Sequence, residues 1–270
     1  MLQVAAGAAT FALGLAPART EETRIAALID KARADTFIGA RIGVISQALI
    51  GSRYVGYPLI GGPRKQEQFV LRDDAFDCVT FCETVLAAAR SFTVADFQPQ
   101  LRRIRYRDGE IAWPARNHYF ADWSLNNIAN GICRAIVLPG TAMVEKTVTY
   151  MHGLPVERVG LTSIPVASVL GNAERLATGD VVGFLSRRPG IDYFHTGFIV
   201  VGKDGELLLR HAAKSKGRVL DQTLSAFIAV NGVRHVSLLR PQEVWSGEAV
   251  VLAVIPPLKG RDKRADGRLQ

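Results

Sequence analysis

Residues 179–213 constrain the fold more than any other part of the chain. They hold three short apolar runs: Gly179-Asp180-Val181-Val182-Gly183-Phe184, then His195-Thr196-Gly197-Phe198-Ile199-Val200-Val201-Gly202, then Glu206-Leu207-Leu208-Leu209-Arg210-His211-Ala212-Ala213. Each run is bounded by glycine, aspartate or charged residues, which predicts three successive antiparallel strands. Lys203-Asp204-Gly205 between the last two is a strong hairpin signal. One histidine opens the second strand and another ends the third. Neighbouring antiparallel strands can bring such residues side by side despite their separation in sequence.

The second constraint is Phe76-Asp77-Cys78-Val79-Thr80-Phe81-Cys82-Glu83, which leads into the helical run Thr84-Val85-Leu86-Ala87-Ala88-Ala89-Arg90. Asp77 or a neighbour can cap this helix, placing Cys78 in its first turn. There, unpaired backbone N–H groups and the helix dipole are expected to stabilise a thiolate. A buried core cysteine is the competing reading. The histidines shift the balance, because a helix-start cysteine, a strand-borne histidine and a polar group on the next strand make a nucleophile, base and orienter. The chain has three cysteines, Cys78, Cys82 and Cys133, and an odd number leaves at least one thiol free. Cys78 and Cys82 share a helix face at a spacing that does not suggest a mutual disulfide, so Cys82 is expected to pack inward. A zinc site built from these two cysteines and two histidines is compatible with the C-x3-C spacing alone.

The order of these motifs resembles the NlpC-type cell-wall cysteine peptidases, which have a papain-like fold. A closer resemblance, to the N-acetylmuramoyl-L-alanine amidase-like branch, rests on Phe76-Asp77-Cys78-Val79-Thr80-Phe81, Arg116-Asn117-His118-Tyr119-Phe120-Ala121-Asp122-Trp123, Gly190-Ile191-Asp192-Tyr193-Phe194-His195-Thr196-Gly197 and Arg210-His211-Ala212-Ala213. It covers about residues 40–245. The resemblance implies an α+β, papain-like NlpC-type fold, with the catalytic helix packed on an antiparallel β-sheet and a family-specific insertion at about residues 100–160. It implies Cys78 as nucleophile, His195 as general base and His211 as the group that orients His195. No cofactor or metal is implied, and the H-x-G and H-A contexts fit the peptidase pattern better than a zinc site. The substrate implied is peptidoglycan or a muropeptide, cut at the N-acetylmuramoyl–L-alanine amide. Cleavage within the stem peptide, acyl transfer and non-catalytic wall binding are the alternatives. Tyr54 lies where related enzymes often carry a tyrosine near the nucleophile. It is a second oxyanion donor after the Cys78 N–H, a substrate contact, or an ordinary half-buried aromatic.

Other candidates surround this core set. Arg116 suits a bidentate contact with a stem-peptide carboxylate, or a structural pair with Asp122. His118 is the rival base, and Tyr119 and Asp122 belong to the same substrate-shaping segment. Asp192 is expected to brace the loop that delivers His195, with substrate contact as the alternative. Glu67 reads as a solvated loop residue, and His152 and His235 as surface or packing residues. Ile104-Arg105-Tyr106-Arg107 and Ile111-Ala112-Trp113 are expected to form a hairpin around Asp108-Gly109.

The remaining sequence sets the organisation. Hydrophobic residues make up 48% of 270, with no repeat or Gly/Ser linker, so residues 21–257 are expected to form one domain and a monomer. Glu21–Leu49 reads as helical, and Gly51–Arg72 as irregular chain leading to the site. Val233–Arg240 and Ala249–Pro256 are expected to complete a sheet of about five or six strands. Residues 1–20 resemble a signal-peptide h-region ending in Ala16-Pro17-Ala18, which implies a periplasmic or otherwise exported protein without stable membrane insertion after processing. Residues 258–270 read as a basic flexible tail. The formal charge of +8 invites a nucleic-acid partner, but no nucleic-acid motif or regular basic helix accompanies it. An anionic cell wall explains a positive surface equally well.

Overall fold

The computed structural model describes residues 21–244. In chain order the elements are α1 (Glu21–Ala32), α2 (Ile38–Ala48), β1 (Arg53–Tyr54), β2 (Ile60–Gly62), β3 (Lys65–Gln68), β4 (Ala75–Phe76), α3 (Cys78–Ala89) and α4 (Val94–Arg105). There follow α5 (Phe120–Ala129), β5 (Cys133–Ala135), β6 (Ala142–Val148), β7 (Glu157–Pro165), α6 (Val166–Leu170), β8 (Val181–Leu185), β9 (Tyr193–Val201), β10 (Leu207–Ala213), β11 (Arg218–Thr223), α7 (Leu224–Asn231) and β12 (His235–Pro241). The fold is mixed α/β.

The antiparallel hairpins at residues 181–213 form the middle of one sheet. Its order is β4-β1-β11-β10-β9-β8-β12-β7-β6, with β5 paired to β12 off this path, giving ten strands. That is larger than the five or six strands expected. The short strands β1 and β4 extend one end, and the β6–β7 hairpin extends the other. Among the described strands, β1 and β4 pair in parallel, and β4 leads directly into α3. Gly205 takes φ +76° in the β9–β10 turn, a conformation glycine adopts without steric cost.

Helix α3 is enclosed on all sides: every residue from Thr80 to Ala89 is buried. Asp77 caps it, accepting from the Thr80 N–H at 2.8 Å, while its own N–H donates to Thr80 Oγ1 at 3.0 Å. Phe81 meets Phe76 and Phe198 edge-on, each at 5.9 Å between ring centres, which locks the helix between β4 and β9. Cys82 is fully buried, its Sγ 4.0 Å from Thr196 Oγ1. Glu83 is the acid on this buried helix. Arg105 of α4 donates Nε–H to Glu83 Oε2 at 2.7 Å and Nη1–H to the Val70 carbonyl at 2.7 Å.

Two expectations are corrected. The span Glu21–Leu49 divides into two helices, interrupted at residues 33–37. The hairpin expected around Asp108-Gly109 does not form: Ile104 and Arg105 end α4, and Arg107–Gly109 make a single 3-10 turn. Phe97, Leu101 and Ile104 are all buried on α4, so helical spacing prevailed over the local turn signal. What remains of the hairpin is an isolated bridge between Tyr106 and Arg116. The expected Ala249–Pro256 strand, the N-terminal segment and the basic tail lie outside the described residues.

Removing one partner of the buried Glu83–Arg105 pair leaves the other charge without compensation. Arg105→Met is expected to lower stability by about 3–5 kcal/mol, read as a fall in urea midpoint at unchanged slope.

Candidate active site

Helix α3 delivers Cys78 to the wall of a cavity of about 290 Å³, and β9 delivers His195 to the same cavity. The third wall is built by the N-terminal end of α5 and by Tyr150 and Met151, which follow β6. His195 Nε2 lies 2.6 Å from His211 Nδ1, and His211 Nε2 lies 3.2 Å from Gln222 Oε1. These contacts run across β9, β10 and β11, with Leu209 of β10 directly opposite Gln222. Side chains two apart on a strand share a face, so His211 and Gln222 meet diagonally.

Proton positions follow from this chain. Gln222 Oε1 only accepts, so His211 Nε2 carries a proton and His211 Nδ1 is a lone pair. The proton shared between the imidazoles then belongs to His195 Nε2, which leaves His195 Nδ1 as an unprotonated base. Gly197 permits this approach. A Cβ there would lie 2.9 Å from His211 Cβ and 2.8 Å from the Arg210 carbonyl oxygen. The glycine of the H-x-G pattern thus has a packing reason.

Burial governs the electrostatics. It pushes His195 down to about 3, with His211 adding to the effect, and it lowers His211 as well. Phe227 of α7 covers both rings, stacked at 5.3 Å on His195 and edge-on at 5.4 Å to His211. The Cys78 thiol is pushed up to about 12, first by burial and then by the Asp77 carboxylate. Hydrogen bonding from the Thr196, Cys78 and Val79 amides acts in the opposite direction. The expected helix-start thiolate is therefore corrected: the dipole and amides are present, but burial and the capping acid outweigh them. As a residue Cys78 is half-buried and lines the cavity. At rest the Cys78 thiol and the His195 imidazole, which line the same cavity, are both neutral.

The other sequence candidates divide. Tyr54 is half-buried, and its phenol is raised to about 12 by burial, then by Cys78 and Asp77. It is a protonated donor within the electrostatic reach of Cys78. Asp192 is buried and accepts from the Ala121 N–H at 2.8 Å, bracing β9 against α5. Tyr119 lines the cavity while its hydroxyl accepts the Met151 N–H at 2.9 Å. His118 Nε2 lies 2.7 Å from the Trp113 carbonyl, and burial lowers its ring to about 4. That nitrogen is committed to the carbonyl as a donor.

Arg116 does not pair with Asp122. Its Nη1 lies 3.1 Å from Glu67 Oε1, off the hydrogen-bond axis, and its guanidinium lies 4.6 Å over the Trp113 ring. Glu67, expected in solvent, is buried and accepts from the Tyr106 hydroxyl at 2.9 Å. Asp122 lines a neighbouring cavity with Glu157, and burial followed by Glu157 raises it to about 6. His152 and His235 are exposed. Gln222 went unnoticed in the sequence because Asp221-Gln222-Thr223 resembles any polar strand end. The signal available was its place one strand beyond His211. Among the described residues, no group of three or more His, Cys, Asp or Glu side chains is arranged to hold a metal.

The profile of AmiA-like, N-acetylmuramoyl-L-alanine amidase-like proteins matches residues 44–233. The chain belongs to this N-acetylmuramoyl-L-alanine amidase-like family. A Legionella pneumophila protein of known structure is similar at 21% identity and TM-score 0.72, over 82% of this chain and 95% of that one. An N-acetylmuramoyl-L-alanine amidase from Bacteroides uniformis is similar at 23% identity and TM-score 0.63, over 80% of this chain and 100% of that one. At these identities the structural likeness shows the shared fold. No curated protein matches significantly.

The burial of His195 predicts its titration. Its folded value is depressed, so the ring stays neutral as pH falls through its ordinary 6.5. Nitrogen-15 NMR of the imidazole is expected to show a midpoint well below 6.5, with Nε2 protonated and Nδ1 bare at neutral pH. A midpoint at or above 6.5 would contradict the argument.

Proposed function

We propose that this protein is a cysteine amidase that hydrolyses the N-acetylmuramoyl–L-alanine bond of peptidoglycan. The observation that carries the reading is the His195–His211–Gln222 hydrogen-bond chain, ending in the cavity that also receives Cys78. The family supports peptidoglycan as the substrate. A helix-borne cysteine facing strand-borne histidines supports a papain-like arrangement of the NlpC type.

With thiol and imidazole both neutral at rest, proton transfer accompanies attack. Cys78 Sγ attacks the lactyl carbonyl while His195 Nδ1 takes the thiol proton. Negative charge then develops on the carbonyl oxygen. The Cys78 amide at the helix start is the first donor to it, and the Tyr54 hydroxyl is the second. Collapse breaks the C–N bond, and His195 returns its proton to the departing alanine amine. Water, deprotonated by His195, next attacks the thioester, releasing the muramyl carboxylate and restoring the thiol. His211 holds the tautomer and accepts the His195 Nε2–H as imidazolium character develops. Arg116, which lines the same cavity, offers a guanidinium to a stem-peptide carboxylate in this reading. Such a substrate also accords with the export suggested by the leading residues.

Mass spectrometry of muropeptides incubated with wild type and Cys78→Ala tests the reaction. Free stem peptide plus sugar from wild type alone is expected, whereas cleavage inside the peptide would move the specificity to an endopeptidase. Transfer to an added amine would mark an acyltransferase. Gln222→Leu tests the relay. It is expected to lower kcat about tenfold or more with little change in KM, and to mix the His195 tautomers by nitrogen-15 NMR. Gln222→Glu, which keeps the acceptor, is expected to restore the tautomer.

A further inference from the structure

A positively charged ridge lies outside the cavity and has no part in the chemistry above. Lys214-Ser215-Lys216-Gly217-Arg218 carries the chain from β10 into β11, and all five residues are exposed. In the strand pairing, Arg218 stands directly opposite Arg53 of β1. Like charges directly opposite each other across a sheet are destabilising. Asp74 relieves this only in part. It accepts from Arg53 at 3.2 Å but is shared with Arg72, which donates to it at 2.7 and 3.1 Å. Among the described residues, Lys214, Lys216 and Arg218 enter no ion pair. Folding alone disfavours three unpaired cations gathered beside a fourth, whereas an anionic partner neutralises them.

The ridge is fixed in place and adjoins the cavity. Gly217 takes φ +67° to close the turn, and its carbonyl accepts the Tyr54 N–H at 2.8 Å. Alongside, the Gly51 N–H donates to the Val219 carbonyl at 2.9 Å, and the Val219 N–H to the Ser52 carbonyl at 2.8 Å. Lys214 is within electrostatic reach of Tyr150, which lines the cavity. A second exposed basic pair, Arg64-Lys65, lies where β2 turns into β3. Pro63 beside it packs on Gly153, where an added Cβ would lie 2.1 Å from Pro63 Cγ. Both basic groups therefore flank the segment that carries Tyr150. Residues 214–218 hold no apolar side chain, so the ridge suits a soluble polyanion better than a bilayer, which takes up an apolar face as well.

We propose that Lys214, Lys216 and Arg218, with Arg53, form a docking ridge for the carboxylates of neighbouring stem peptides, so that the enzyme holds peptidoglycan as a polymer. This rests on the amidase reading and adds a binding surface outside the catalytic cavity. The stem peptide being cut occupies the cavity, where Arg116 offers it a guanidinium. The ridge lies beyond the cavity wall, so the charges it meets belong to the next stem peptides on the polymer. Peptidoglycan repeats those carboxylates along its length. A single exposed ion pair contributes little and is screened by salt. Several such pairs on one polymer act together, because the first contact raises the effective concentration for the rest. Docking at the ridge thus depends on polymeric substrate and on low ionic strength.

Co-sedimentation of Cys78→Ala with insoluble peptidoglycan, stripped of phosphate-bearing polymers, reads this binding without turnover. Affinity is expected to fall about tenfold or more between about 20 and 500 mM salt, and by a similar factor when the wall carboxylates are converted to amides. Adding Lys214→Gln, Lys216→Gln and Arg218→Gln is expected to lower affinity about tenfold, with an unchanged thermal midpoint as the check on folding. The same change of charge at Lys31, Arg103 and Arg134, exposed on α1, α4 and β5, is expected to leave affinity near its starting value. Equal losses from the two sets would show that net charge alone attracts the wall, which overturns the ridge. Binding indifferent to carboxylate amidation overturns it too, as does binding seen only on wall that keeps its phosphate polymers. The outcomes also separate the ridge from the amidase reading. Ridge-dependent binding with no amide cleaved by wild type keeps the ridge and removes the amidase. Cleavage of soluble muropeptides without ridge-dependent binding does the reverse.

Discussion

The burial of helix α3 is the constraint on which the rest of the structure depends. A helix enclosed over ten consecutive residues, Thr80–Ala89, needs packing partners all round, and the sheet and neighbouring helices supply them. Phe81 fixes its depth against Phe76 and Phe198, and small residues on its final turns admit close neighbours. Its buried acid, Glu83, is matched by Arg105, whose second bond holds the Val70 carbonyl of the segment leading to β4. The position of Cys78 is the outcome of that packing. Neither the helix nor its first residue can move without exposing this surface or separating a buried ion pair.

The sheet imposes a comparable discipline on the histidines. Alternation along β10 gives Arg210 and His211 opposite tasks. Arg210 turns toward α2, bonding Ser46 Oγ at 3.0 Å and the Gly43 carbonyl at 3.1 Å, and it holds Asp221 through two bonds of 2.7 Å. His211 turns the other way, toward His195, Gln222 and the ring of Phe227. The Arg210–Asp221 pair fixes β11 against β10, which holds Gln222 in reach of His211. A structural ion pair on one face and a tautomer-setting chain on the other are thus two sides of the same strand pairing. Burial then keeps both imidazoles neutral at rest.

Much of this was legible in the sequence because it depends on local patterns. The β9–β10 hairpin follows from alternation and Asp204-Gly205, and the capping of α3 from Asp77 and Thr80. The inward turn of Cys82 follows from its position four residues after Cys78. The failures share a cause: each concerns a long-range partner. Glu67 reads as a solvated loop residue until Tyr106 and Arg116 are brought against it from beyond α4. Asp108-Gly109 reads as a hairpin turn until the buried face of α4 claims Leu101 and Ile104. Gln222 carries no motif at all, and its relevance comes from strand register alone.

The sequence by itself determined the family, the helix that opens on a cysteine, and the two histidines on successive strands, because residue type, period and turn chemistry act over a few residues. Only the tertiary structure decided the ionisation at the site. A helix start favours a thiolate in isolation, but how much water reaches Cys78 and where the Asp77 charge lies depend on the whole surrounding packing. Desolvation is a property of assembled surfaces, and no short stretch of sequence encodes it.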